Sequence, residues 1–377
     1  MHESFVAPGV LLYVIMAIGL VGNSVVLWVL IRQRKTWCVP TIYLFNLAAA
    51  DTLFLLSIPF MAQAMLNQMH WNFGSPMCTF FLYWGILNMN ASIYFLTGMS
   101  IDRWVAVAHP IKFAHVRTHK TAKLGCLGIW LLAAILSLPN AIFAETEELK
   151  DTNIFEGIFA EPNKSDVSLN QSWGKNTEGF YSYCDYHGVS KYPNKFTVLG
   201  ALSFLQFFTG FLVPTCIIGI CYVKIVTAVK NNIISKRVRK DKVAKLSCCI
   251  VSAFFICWLP MQALNFYTSI AFWADVSLLQ NRIYQEFFPY AYCLAWSHSC
   301  FNPIAYAFIT TNFQLKARDT FSKRRPSDFS SRNSSISLPA RESKRVTNSV
   351  KLSTLKANAE RRGGYTRASC HSVNHYI

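Results

Sequence analysis

The residues able to do chemistry in this 377-residue chain sit where polar groups are least at home. Asp51 closes the stretch Asn46-Leu-Ala-Ala-Ala-Asp in the middle of a long apolar run. A carboxylate at that depth costs at least roughly 2.5 kcal/mol on insertion scales, so it either serves a function or bonds inward, with Asn23 of the preceding run as the structural partner. Asn88 and Ser92 lie one turn apart on one face of another run, which ends in the adjacent acid and base Asp102-Arg103. Polar groups are costly in hydrocarbon unless satisfied, so this stripe faces protein or water. The last run ends in Asn302-Pro303-Ile304-Ala305-Tyr306, a proline break with polar partners. No motif in the chain supports enzymatic catalysis.

The elements that must position these groups are membrane helices. The chain is 53% hydrophobic and only 15% charged, a balance that does not suit a soluble protein of this length. Seven segments, at roughly 8–31, 40–65, 77–107, 121–143, 196–228, 243–270 and 285–309, are long enough to span a bilayer. The expected fold is an all-α bundle of seven transmembrane helices, with the run from Cys78 to Ile111 as its central helix. The first run is too long for a cleavable signal peptide and serves as its own anchor. Pro59 predicts a kink in the second span, and Phe254-Phe255-Ile256-Cys257-Trp258-Leu259-Pro260 predicts a hinge in the sixth.

Charge sets the orientation. Arg32, Arg34 and Lys35 follow the first span, Arg103, Lys112, Arg117 and Lys120 follow the third, and Lys236 to Lys245 separate the fifth from the sixth. The positive-inside rule places these loops in the cytoplasm and the N-terminus outside. The formal charge of +17 is thus a property of the cytoplasmic face, which argues against nucleic-acid binding. The 144–195 loop is acidic, and its Asn163-Lys-Ser and Asn170-Gln-Ser sequons are expected glycan acceptors. Of 12 cysteines, only Cys78 and Cys184 fall at or beyond the outer face, leaving one disulfide to form there.

Residues 1–7 form a short outer segment and 8–322 the membrane domain. After the last span, Phe313 and Phe321 stand among Gln314, Lys316 and Arg318, suiting a short amphipathic helix on the inner leaflet. From 323 to 377 the Ser-, Arg- and Lys-rich composition predicts a disordered tail. There Ser327, Ser330, Ser331, Ser334, Ser335 and Ser337 cluster near Arg324, Arg325 and Arg332, a pattern that basophilic kinases favour.

In this order, Gly22-Asn23, Asn46 to Asp51, Asp102-Arg103-Trp104, Trp130, Cys257-Trp258-Leu259-Pro260 and Asn302-Pro303-x-x-Tyr306 resemble a rhodopsin-class (class A) G-protein-coupled receptor. Trp71-x-Phe73-Gly74, Asn88-Met89-x-x-Ser92-Ile93-Tyr94, Val105-Ala106-Val107-x-His109-Pro110-Ile111-Lys112 and Ser299-Cys300 are most similar to the somatostatin, opioid and insect allatostatin-C receptors. Three positions depart from that group. Gly85 stands where an Asp usually pairs with a ligand cation, Trp104 replaces a Tyr, and His298 replaces an Asn. An amine or a lysine-anchored peptide therefore lacks its usual partner. His298 can act as a cation beside Asp51 in place of a metal ion, or stay neutral on Ser299 or Asn302.

The resemblance implies a plasma-membrane receptor for an extracellular neuropeptide, acting through an inhibitory heterotrimeric G protein. A receptor for a lipid or other small ligand is the alternative. By the same resemblance, Gly85, Met89, Gln262, Asn265 and Phe288 line the ligand pocket. Asp51, Asn88, Ser92, Ser299 and Asn302 hold a sodium ion as modulator, whose hard-cation chemistry suits oxygen donors. Trp258, His298, Asn302 and Tyr306 act as the switch. Asp102, Arg103, Ile111 and Tyr222 form the G-protein face, and the phosphorylated tail binds arrestin. A seven-helix transporter or pump would need inverted repeats or a lysine in the last span, and the sequence has neither.

Overall fold

A computed structural model describes residues 3–149, 181–185, 195–231, 252–267, 270 and 282–309. Backbone groups in hydrocarbon must bond within their own segment, and the described chain does so in helices. These are α1 (Glu3–Arg32), α2 (Val39–Leu55), α3 (Ile58–Leu66), α4 (Gly74–Ala108), α5 (His119–Phe143), α6 (Lys195–Phe207), α7 (Val213–Asn231), α8 (residues 252–267), α9 (Arg282–Trp296) and α10 (His298–Ile309). Two short strands, β1 (Glu145–Leu149) and β2 (Tyr181–Asp185), pair antiparallel with Thr146 opposite Cys184. Phe5–Arg32, Val39–Leu66, His119–Phe143 and Thr197–Ala228 are long and apolar enough to cross a membrane by composition alone. At 35 residues α4 is longer than any of these.

The pattern of exposure is that of a bundle in lipid. In α5, Leu124, Leu127, Leu131, Ile135, Leu138 and Ile142 recur at helical spacing and are exposed. The opposite face carries Ala122, Cys126, Ala133, Ser137 and Asn140, all buried. Large apolar groups thus face outward while small and polar ones face α4, letting the backbones approach. α4 packs against α2, α5 and α7, the central position expected of it.

Prolines break these helices in ways the sequence indicates only in part. The kink expected at Pro59 is a full break: α2 ends at Leu55, Ser57 turns its hydroxyl to Phe54 O at 2.6 Å, and α3 restarts with Pro59 in its first turn. In the seventh span the expected break at Asn302-Pro303 does not occur. The helix runs through Pro303, and the interruption lies at Ser297, whose hydroxyl donates to Leu294 O at 2.7 Å.

Pro303 is tolerated because another helix supplies the missing donor. Its absent N–H leaves Ser299 O without an intrahelical partner, and Asn23 Nδ2 of α1 donates to that carbonyl at 3.0 Å. Close approach depends on Gly22, where a Cβ would stand 3.0 Å from Pro303 Cβ. Between α6 and α7, Phe208–Leu212 is a π-helical turn in which Val213 N–H bonds Phe208 O. The next such bond would need a proton on Pro214 N, so Thr209 O is left over. Tyr94 of α4 donates its hydroxyl to Thr209 O at 3.1 Å.

The tail from 310 to 377, the amphipathic stretch at Phe313 and Phe321, the sequons at Asn163 and Asn170, and the serine cluster all lie outside the described residues.

Candidate functional site

Three levels of α4 carry the candidate site. Cys78 lies in its second turn and Asp102 near its far end, about 36 Å apart at 1.5 Å per residue. Between them the helix presents Asn88, Asn90 and Ser92, all buried.

At the Cys78 end, the disulfide Cys78–Cys184 ties β2 to α4 with the Cα atoms 5.5 Å apart. Thr79 donates to Ala144 O at 3.2 Å, just before β1. Trp71 N–H bonds Ser182 O at 2.7 Å, and Ser182 N–H bonds His70 Nδ1 at 3.1 Å. The loop before α4 and the hairpin are therefore one hydrogen-bonded unit at this mouth. Trp71, Phe60, Phe73 and Phe81 pack beneath it with ring centroids 5.1–6.5 Å apart. Phe81 touches Trp296, which packs on Phe54, which meets His298, which meets Trp258. An aromatic column thus runs from the mouth to the middle of the bundle.

In the middle, Asp51 is fully buried and held by α4 and α10. Ser92 Oγ donates to Asp51 Oδ1 at 2.8 Å, Ser299 Oγ to the same atom at 3.5 Å, and Asn302 Nδ2 to Asp51 Oδ2 at 2.7 Å. Asn23 is not the partner proposed for it, because both of its amide hydrogens go to backbone carbonyls, Gly19 O and Ser299 O. Asn88 Nδ2 is held by Trp84 O at 2.8 Å, while its Oδ1 is buried without a partner one turn from Ser92. A carboxylate, two hydroxyls and a spare amide oxygen are donors that fit a hard cation such as sodium. Asn302 fits that set less well, since a carboxylate only accepts and so receives the amide nitrogen of Asn302. His298 Nδ1 lies 2.8 Å from Ala295 O, so that nitrogen carries the proton and Nε2 faces Ser299 Oγ at 3.4 Å and Asp51 Oδ1 at 3.9 Å. Trp258 covers this group, its Nε1 buried and unpartnered. Tyr306 lies on α10, but its side chain is outside the described residues.

At the far end Asp102 is buried and engaged by Arg117, with Nε–Oδ1 at 2.8 Å and Nη2–Oδ2 at 3.0 Å. The sequence offered Arg103 as the obvious neighbour; the two-pronged partner comes from the loop before α5. Ile111, on that loop, is 90% exposed, and Tyr222 is half-buried in α7. Trp104 lies 5.6 Å under Lys224 Nζ and packs edge-on with His109.

Of the expected pocket residues, Met89 and Gln262 are buried, and Gly85, Asn265 and Phe288 are half-buried. A Cβ at Gly85 would meet nothing within 4 Å, so the missing Asp leaves space. Gln262 Oε1 is buried and unpartnered. Sequence reasoning saw Arg117 only as loop charge and Tyr94 only as part of a motif, and passed over Asn90 and Gln206. Asn90 was legible as a carboxamide inside an apolar run, whereas the partners of Arg117 and Tyr94 depend on tertiary packing.

Comparison with known proteins agrees with this geometry. A family model described as 7 transmembrane receptor (rhodopsin family) matches residues 22–306. The chain is similar to somatostatin receptor type 4 of Rattus norvegicus, 34% identical over 305 residues covering 79% of this chain and 68% of that receptor. It is 32% identical to somatostatin receptor type 2 of Mus musculus over 307 residues, 80% of this chain and 73% of the other. Type-1 angiotensin II receptor A of Xenopus laevis is 29% identical over 314 residues, 82% and 78% of the two chains. The chain belongs to the rhodopsin family of seven-transmembrane receptors.

Proposed function

We propose that the chain is a plasma-membrane receptor for an extracellular neuropeptide, with its N-terminus outside, acting through an inhibitory heterotrimeric G protein. The observation that carries this reading is the likeness to somatostatin receptors over four-fifths of the chain, at 34% and 32% identity. The peptide enters at the disulfide mouth and rests against Gly85, Met89, Gln262, Asn265 and Phe288. It acts only through its differential affinity for two arrangements of the bundle. A sodium ion seated by Asp51, Ser92, Ser299 and Asn88 would add electrostatic bridging between α2, α4 and α10, favouring the resting arrangement. Arg103, Ile111 and Tyr222, with Asp102 positioning the second loop through Arg117, meet the G protein. Arrestin reads the phosphorylated tail, and the basic loops meet anionic lipid headgroups.

The test is expression of the chain in cells challenged with a panel of neuropeptides, reading cyclic AMP and calcium. At least one peptide should lower cyclic AMP in a saturable, receptor-dependent way. Cells that answer no peptide of the panel but respond, in a receptor-dependent way, to lipids or small amines would overturn the peptide assignment.

A further inference from the structure

Between α4, α5 and the π-helical turn lies a polar group that neither the ion site nor the aromatic column uses. Asn90 is 0% exposed, and its Oδ1 has no hydrogen-bond partner among the described residues. Its orientation is fixed by Ser137, 3.4 Å from Asn90 Nδ2. The Ser137 hydroxyl proton is spent on Ala133 O at 2.7 Å, so Ser137 Oγ can only accept from Asn90. The acceptor end of Asn90 therefore points away from α5 and toward Gly210, where a Cβ would stand 3.2 Å from Oδ1.

The same glycine seats a second carboxamide. Gln206 of α6 lies over Gly210 so closely that a Cβ there would be 2.4 Å from Gln206 Nε2. Among the described residues that amide donates only to the thioether of Met89, at 3.8 Å, a weak acceptor. Gln206 is half-buried, so the group opens through it, beside a residue of the expected ligand pocket. An unused amide oxygen and an under-used amide N–H stand together over Gly210, beside Met89. Leaving a buried acceptor unpaired is costly in the ligand-free protein, and a partner that pairs it recovers that cost on binding.

We infer that Asn90 and Gln206 form a neutral subsite that reads a carboxamide on the ligand, its N–H donating to Asn90 Oδ1 and its C=O accepting from Gln206 Nε2. The inference deepens the peptide reading and rests on it for the nature of the ligand. It assigns the anchor to a carboxamide, the side chain of Asn or Gln or an amidated terminus, in a pocket where Gly85 supplies no carboxylate for a cation. Asn90 and Gln206 then decide specificity by hydrogen bonding, which rejects a partner lacking the group more sharply than apolar fit does.

The experiment has two arms on the full-length chain in lipid nanodiscs. The first needs no ligand: the thermal midpoint of Asn90→Leu is compared with that of the parent. An unpaired oxygen predicts a midpoint equal to or above the parent's, whereas a drop of several degrees would mean that Asn90 is a satisfied structural residue and would overturn the inference. The second uses two cyclic hexapeptide libraries, identical except that the fixed position carries glutamine in one and lysine in the other. The glutamine library should bind the parent roughly tenfold more tightly than it binds Asn90→Leu or Gln206→Leu, and Asn90→Asp should move preference toward lysine. Equal binding of both libraries to the parent, or Leu variants that bind the glutamine library unchanged, overturns it. If neither library binds the parent, the carboxamide assignment fails, while the peptide reading stands or falls separately on the neuropeptide panel.

Discussion

Asn23 and Pro303 are complementary: the α1 amide donates at 3.0 Å to Ser299 O, the carbonyl that Pro303 cannot pair. Ser299 is also the residue whose hydroxyl reaches Asp51. The first span thereby fixes the backbone from which part of the polar group around Asp51 hangs. Asn23→Leu should unpair that carbonyl and lower stability by about 0.6–1.7 kcal/mol, the range for interhelical hydrogen bonds in lipid. A thermal-unfolding series in which Asn23→Leu equals the parent would refute the pairing.

Tyr94 does the same for Pro214 through Thr209 O. Tyr94→Phe removes only the hydroxyl and should cost about 0.6–1.7 kcal/mol. Pro214→Ala restores a backbone donor for that carbonyl, so the loss from Tyr94→Phe should shrink in its background. A double-mutant cycle checks this; additive losses would mean the two residues are independent.

These two pairs also show what the sequence makes legible. The spans can be read directly, because a hydrocarbon environment forces long apolar helices and leaves polar residues conspicuous. Asp51, Ser92, Ser299 and Asn302 converge in the structure; their polar character was conspicuous in apolar runs, but their grouping was an expectation from the family resemblance alone. Where helices break is a different matter. Proline removes a donor at a known position, but what then pairs the freed carbonyl depends on tertiary packing. Pro303 has Asn23 and the helix continues, while Ser297, with no proline, ends α9. Arg117 was visible only as loop charge, since its fork on Asp102 depends on how the loop folds back.

The Asp102–Arg117 pair yields a geometric prediction. Arg117→Lys keeps the charge but loses the two-pronged fork, and Arg117→Ala loses both. Because Asp102 is buried and Arg117 is partly exposed, the alanine variant should lose about 1–3 kcal/mol after allowance for screening, with lysine in between. Chemical denaturation of the three proteins tests the order, and a lysine variant as stable as the parent would contradict the fork.

Removal of sodium tests the polar centre. Replacing sodium with a large organic cation should raise agonist affinity in the parent. Asp51→Asn should abolish that difference, while Asn88→Leu should reduce it by removing the spare oxygen. Radioligand competition in the two salts measures it, and an Asp51→Asn receptor as sodium-sensitive as the parent would place the ion elsewhere.

The central claim is that a peptide at the disulfide mouth changes what the Asp102 end presents to a G protein. The direct measurement is exchange of a slowly hydrolysed GTP analogue on a purified inhibitory heterotrimer, catalysed by the purified chain in nanodiscs with a peptide found to bind it. The account predicts that the peptide accelerates exchange on the parent and that Arg103→Ala binds the peptide but does not accelerate it. A peptide that binds the parent tightly yet leaves exchange on inhibitory and other heterotrimers at the receptor-free rate would contradict it.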